Sequence, residues 1–118
     1  MAAPNLISAT TITGKTALSQ LTTVTANIIT NAAASGTVVK LNTVTLSNYT
    51  ANIVTSNVMI NRSSTVYYIS GNINVPANST LVLLAKDTTT YLEEGDVLQA
   101  NVSANTAISM SASYELVV

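Results

Sequence analysis

The 118-residue sequence has no cysteine, no histidine, no tryptophan and no phenylalanine. Without Cys there is neither a disulfide nor a thiolate nucleophile, and without His the imidazole base goes too, so the two commonest zinc ligands are absent together. A Ser or Thr nucleophile has no imidazole to activate it, and neither Ser-x-x-Lys nor Gly-x-Ser-x-Gly occurs. Charge is scarce as well: Lys15, Lys40, Arg62 and Lys86 against Asp87, Glu93, Glu94, Asp96 and Glu115, for a net charge of −1. Binding phosphate backbones by counterion release needs clustered cations, so no nucleic-acid partner is expected. No apolar run reaches the roughly 18 residues of a membrane helix, and the opening residues lack the basic and apolar regions of a signal peptide. These absences predict a protein that is not an enzyme, needs no cofactor or metal, has no export signal and enters no membrane.

Hydroxyls and amides stand where charge is missing. The chain has 19 Thr, 13 Ser and 13 Asn, together 45 of its residues. Thr is β-branched and favours strands, while Ser and Asn favour turns, so this mixture suits neutral sheets joined by short loops. Short Val, Ile, Leu and Thr runs separated by Gly, Asn, Ser or Pro predict one all-β domain over residues 1–118. The expected architecture is an antiparallel β-sandwich, immunoglobulin-like or jelly-roll-like, of about eight to ten short strands.

The clearest strand is 107–118, where Ile108, Met110, Ala112, Tyr114, Leu116 and Val118 alternate with Ser109, Ser111, Ser113 and Glu115. Residues 96–104 alternate similarly through Leu98, Ala100, Val102 and Ala104, and Asn105-Thr106 would join the two as a hairpin. Between Thr37 and Asn48 the apolar parity changes after Val39 and Leu41, which predicts a bulge near Asn42-Thr43. A strand over 52–60 follows, then one over 65–70, a turn at Gly71-Asn72, and a short strand 73–75 that Pro76 stops. The continuous apolar run 81–85 reads as a strand buried on both faces. Near the start, 7–13 and 21–30 read as strands, 16–20 as a loop or helical turn, and Asn31 to Gly36 as a loop of small residues.

Few residues offer chemistry. Glu93, Glu94 and Asp96 are the one concentration of ionisable groups; oxygen-rich loops can hold Ca²⁺, but adjacent carboxylates in a turn need not converge, and a solvated turn is the expected reading. Gly14-Lys15-Thr16 is similar to the end of a phosphate-binding loop, but Ala9 stands where that loop requires glycine, so a turn closing a strand is expected instead. The Asn-x-Ser/Thr sequons at Asn48, Asn61, Asn78 and Asn101 are as many as this composition produces by chance. The aromatics are Tyr49, Tyr67, Tyr68, Tyr91 and Tyr114, which could form a sugar-stacking platform or be half-buried strand residues.

Uncharged β-runs such as TVVKLNTVTL and STLVLLAK would pair with other copies if left as free edges, so the chain is expected to cover its edges or use them in assembly, as a homo-oligomer, trimer or dimer. Several stretches also carry a resemblance: Ala3-Pro-Asn-Leu6 with Thr11-Ile-Thr-Gly-Lys-Thr16, Ala34-Ser-Gly-Thr-Val-Val-Lys-Leu-Asn42, Val75-Pro-Ala-Asn-Ser-Thr-Leu-Val-Leu-Leu84, Lys86-Asp-Thr-Thr-Thr-Tyr-Leu-Glu-Glu94 and Ala112-Ser-Tyr-Glu115. In this order they resemble small virion structural proteins of tailed phages, especially those infecting cyanobacteria. Where that family often has a second acidic residue after the final Tyr-Glu, this chain has Leu116, Val117 and Val118. The resemblance implies a β-sandwich that decorates or cements the capsid, made in the host cytoplasm and placed in the virion, with the major capsid protein or other virion proteins as partners. A tail, neck or fibre component is the alternative, and a carbohydrate-binding module the alternative from another class. Two segments are candidate contact surfaces: an extended N-terminal arm over 2–9 with Pro4, Asn5, Leu6 and Ile7, and the apolar C-terminal edge Leu116, Val117 and Val118.

Overall fold

A computed structural model describes residues 11–85 and 89–118; the expected arm over 2–9, with Pro4 to Ile7, and Lys86 and Asp87 lie outside them. Among the described residues there are nine strands and no helix: β1 (Ile12–Gln20), β2 (Ala26–Thr30), β3 (Val38–Asn48), β4 (Val54–Arg62), β5 (Thr65–Val75), β6 (Ser79–Leu84), β7 (Thr90–Leu92), β8 (Val97–Val102) and β9 (Ile108–Val117). They form two antiparallel sheets, a β-sandwich. One sheet has the order β1-β9-β3-β6, with β7 also on β3, and the other β2-β8-β4-β5.

The pairing is nested. β4 pairs β5, β3 pairs β6 and β7, β2 pairs β8, and β1 pairs β9. The chain is thus one long hairpin of strand pairs, rolled so that β9 also meets β3 and β8 also meets β4. β6 and β7 run in the same direction along one edge of β3, beside Val44–Asn48 and Val39–Leu41, and together cover that edge as one strand would. With that edge counted once, the order is that of an eight-stranded jelly roll, which decides between the two sandwich types the sequence left open.

Alternation explains the core. Leu41, Val44 and Leu46 of β3, Val58 of β4, Leu98 and Ala100 of β8, and Ile108, Met110 and Ala112 of β9 turn inward and join one buried cluster with Leu21, Val75 and Leu92. The register of β3 against β9 slips between Leu41 and Thr43, which is the bulge expected from the parity change. The molecule measures 47 × 27 × 19 Å, and the shortest dimension suits two sheets with side chains on their outer faces.

Several local expectations are corrected. β8 and β9 are not a hairpin: they lie in different sheets, Ala104 is exposed, and 103–107 crosses between layers. An apolar face toward the interlayer is equally consistent with a hairpin and with a crossing, so alternation could not separate them. Residues 65–75 form one strand, with Gly71-Asn72 inside it as an irregularity opposite Asn57 rather than a turn. The run Leu81 to Leu84 is an edge strand with Val82 exposed, because its outer face has no second layer. Residues 16–20 belong to β1, and Gly14, Lys15 and Thr16 lie within that strand, so no turn closes there. Leu21 to Thr25 is the crossing to β2, with Leu21 buried beneath it. At the end of β9 it is Val117, seated between Ile12 and Val38, that is buried, and Val118 is exposed.

Candidate interaction surfaces

The acidic turn between β7 and β8 is closed around Arg62. Asp96, fully buried, accepts from Arg62 Nε at 2.7 Å and Nη2 at 2.6 Å and from the Glu93 amide at 2.8 Å. Glu93 takes a further bond from Arg62 Nη2 at 3.1 Å, while Glu94 accepts from the Gly36 amide at 2.8 Å. The three carboxylates point at different donors, and among the described residues no group of three or more metal-ligating side chains is placed to hold an ion. Burial pushes the Asp96 carboxyl up, but the Arg62 guanidinium and the Glu93 amide outweigh it and hold it below the ordinary carboxylate range. The hydrogen bond and charge of Asp96 in turn raise Arg62 above its ordinary value. Asn31, also buried, completes the knot by donating to Thr37 O and Leu92 O and accepting from Ser35.

Every charged residue among those described lies toward this end or in the half of the strands that leads to it. Lys40 and Glu115 face each other across β3 and β9 at 3.6 Å, and Lys15 lies opposite Tyr114. The opposite end, built by 21–25, 49–53, 76–78 and 103–107, contains no Lys, Arg, Asp or Glu. Sequence reading missed this polarity because it appears only once the strands are laid side by side.

The charge-free loops are bonded to one another. Asn48, buried at the end of β3, donates to Asn52 O and Val75 O and accepts from the Thr50 amide and hydroxyl. The Tyr49 hydroxyl donates to Thr106 O, the Thr23 amide to Asn105 Oδ1, the Thr106 amide to Leu21 O and the Asn78 amide to Thr50 O. From this braced base Val24 and Ile53 protrude at 73% and 66% exposure, and the Tyr49 ring is half-exposed. Apolar groups presented by fixed loops lose little conformational entropy on docking, and interface cores are depleted of charge.

The outer faces of the sheets differ. Across β1, β9, β3 and β6 the register aligns Thr16, Ser113 and Thr43 in one row, Leu18, Ser111, Thr45 and Val82 in the next, and Gln20, Ser109, Ser47 and Thr80 in the third. This face is hydroxyl-rich and flanked by the exposed Leu18 and Val82. On the other sheet, amides bond across the strands: Asn101 donates to Thr25 Oγ1 and Asn57 to Asn101 Oδ1, while Asn57 Oδ1 accepts from the Asn72 amide, and Gln99 donates to Asn27. That sheet satisfies its own polar groups, as cross-strand pairs do.

The remaining candidates fall as follows. Leu116 packs partly against the core and Val117 is buried, so of the C-terminal trio Val118 is the exposed one. Tyr67 and Tyr68 are adjacent positions of β5 and stand on opposite faces, so they do not make one stacking platform. Tyr114 is half-buried against the core. No helix among the described residues is long and apolar enough to cross a membrane. Compared with known proteins, the sequence matches no family model, and no curated protein matches it.

Proposed function

We propose that this chain is a non-enzymatic structural protein of a tailed-phage virion, a capsid decoration or cement protein that bridges capsid subunits and stabilises the shell. The observation that carries the reading is the charge-free end, where four loops contain no Lys, Arg, Asp or Glu and two of them present Val24, Tyr49 and Ile53. Such a surface suits permanent docking on a neutral protein partner better than recognition of a charged or transient one. The virion setting rests on the sequence resemblance, and a jelly roll is a fold used by viral capsid proteins among others, which supports the reading by analogy. A small contact repeated over a lattice strengthens the shell without tight affinity at any single site.

The test is the position and copy number of the protein in a reconstructed particle. A number that follows the capsid lattice, with the 21–25 and 49–53 loops against the shell, supports the reading. A single ring at the neck or tail assigns the protein to the tail, neck or fibre instead. Ile53→Lys should abolish particle binding without unfolding the chain, because the side chain is exposed in the free protein.

A further inference from the structure

Three sheet edges are protected against pairing with another chain. β2 has five residues and a register slip, β6 and β7 have only six and three residues with a register slip where β6 pairs β3, and β1 carries Lys15 near its middle. Short length, irregularity and charge are the usual devices for blunting an edge. β5 is eleven residues long with no charge and no proline, and its first half exposes Val66, Tyr67 (59%) and Tyr68 (62%) in succession.

The turn before β5 fixes which of its backbone groups are free. Ser63 and Ser64 have φ of 53° and 65°, the left-handed pair of a type I′ turn, so Arg62 and Thr65 close the hairpin as a hydrogen-bonded pair. Alternation along the ladder then aims the amide and carbonyl of Tyr67 at Ile60, and those of Val66 and Tyr68 away from β4. The regular edge ends after Tyr68, where the register slips at Ile69.

We propose that β5 pairs with β5 of a second copy, antiparallel, about a two-fold axis through Tyr67. In this register Val66 of each copy exchanges both backbone hydrogen bonds with Tyr68 of the other, and the two Tyr67 residues meet as a non-hydrogen-bonded pair. An axis between Tyr67 and Tyr68 would set outward-pointing groups against groups already bonded to β4, and an axis at Tyr68 would draw in Ser70 beyond the slip. Depressions of about 390 Å³, lined by Ile60, Arg62 and Tyr67, and about 360 Å³, lined by Asn57, Tyr68, Gly71 and Asn72, flank the strand and leave room for the partner's rings. A fully covered aromatic side chain buries roughly 150–250 Å². Two half-exposed rings and a valine from each copy therefore fall short of the roughly 800 Å² per partner of a standard stable interface. The contact is a weak dimer in free solution that strengthens when a lattice holds copies close together. It specifies the self-association that accompanies the proposed function.

The chain has no cysteine, so Tyr67→Cys introduces a lone thiol. A non-hydrogen-bonded pair brings the two Cα atoms to about 4.5 Å, inside the roughly 4.4–6.8 Å range of a disulfide. Under mild oxidation Tyr67→Cys should form a covalent dimer at least about tenfold faster than Ile53→Cys, whose thiol is comparably exposed at the loop end. Tyr68→Pro removes one outward amide while sparing the β4 ladder, and should weaken the dimer by about tenfold or more in sedimentation equilibrium. Equal disulfide rates for the two cysteine variants, or a wild-type chain that stays monomeric at millimolar concentration, overturn the proposal. Particle binding by such a monomer would leave the capsid role standing, whereas loss of particle binding with the dimer intact would remove that role alone.

Discussion

Replacing Asp96 by Asn tests whether the Arg62 knot holds the charged end together. The Asp96 carboxylate is buried and carries three short bonds, two from Arg62 and one from the Glu93 amide. Hydrogen bonds to charged groups contribute roughly 1.5–3 kcal/mol. Here the Arg62 side chain is 47% exposed and can return to water, which lowers its share toward that of a surface pair. The asparagine oxygen can still accept from Glu93. The net cost is therefore about 2 kcal/mol, below the ~3–5 kcal/mol of breaking a fully buried pair. For a chain of this size that lowers the melting temperature by about 8 °C, readable by circular dichroism at pH 7. The pH dependence supplies the sharper signature. A carboxyl whose folded pKa lies below its unfolded value near ~3.9 contributes fully above that value and loses its contribution as pH falls through the folded one. The gap between wild type and Asp96→Asn should be constant from neutrality to about pH 5 and close below about pH 4. A gap under about 0.5 kcal/mol at neutral pH, or one unchanged through the acid range, refutes the assignment of stability to this pair.

Leu98→Ala should cost about 3 kcal/mol, because Leu98 is fully buried and bridges Ile29 of β2 and Ile60 of β4; urea unfolding should show a lower midpoint at unchanged slope. Asn48→Ala removes the amide donor from Val75 O and from Asn52 O, which keeps only the 3.2 Å bond from the Thr50 hydroxyl, and frees the Thr50 amide, for a cost of about 2 kcal/mol, with the Thr50 amide exchanging with solvent faster than in wild type.

The parts of the fold that depend on local pattern could be read from the sequence, and those that depend on partners could not. The bulge at Asn42-Thr43 was visible because a parity change in apolar residues has one economical cause. The crossing between β8 and β9 was hidden because both strands need an inward apolar face whichever sheet they join. β1 was half missed for a related reason: an edge strand has little to bury, so Thr16 to Gln20 carries almost no apolar signal. The run at 81–84 misled in the opposite sense, since an apolar side chain such as Val82 can lie on an outer face where nothing in this chain covers it. Arg62 drew no attention as a lone cation in a neutral stretch. Its role depends on Asp96, thirty-four positions away, and on the roll that brings β4 beside β8.

The two outer faces use the same scarcity of charge differently. On the β2-β8-β4-β5 sheet, Asn57 and Asn101 lie opposite one another and their amides close a chain of bonds from Thr25 to Asn72, so that face has little polar capacity left to offer. On the β1-β9-β3-β6 sheet, the rows of Thr16, Ser113 and Thr43 and of Ser111 and Thr45 are short side chains between the exposed Leu18 and Val82. Short hydroxyl groups lose little rotamer entropy when covered and can bond to whatever backbone or water meets them. An amide ladder gives rigidity within the chain, whereas a hydroxyl field with apolar margins leaves contacts to be completed from outside. Together with the charge-free loops at one end and the open β5 edge, this gives the sandwich three surfaces suited to neighbours, while the Arg62 knot closes the end opposite the charge-free loops.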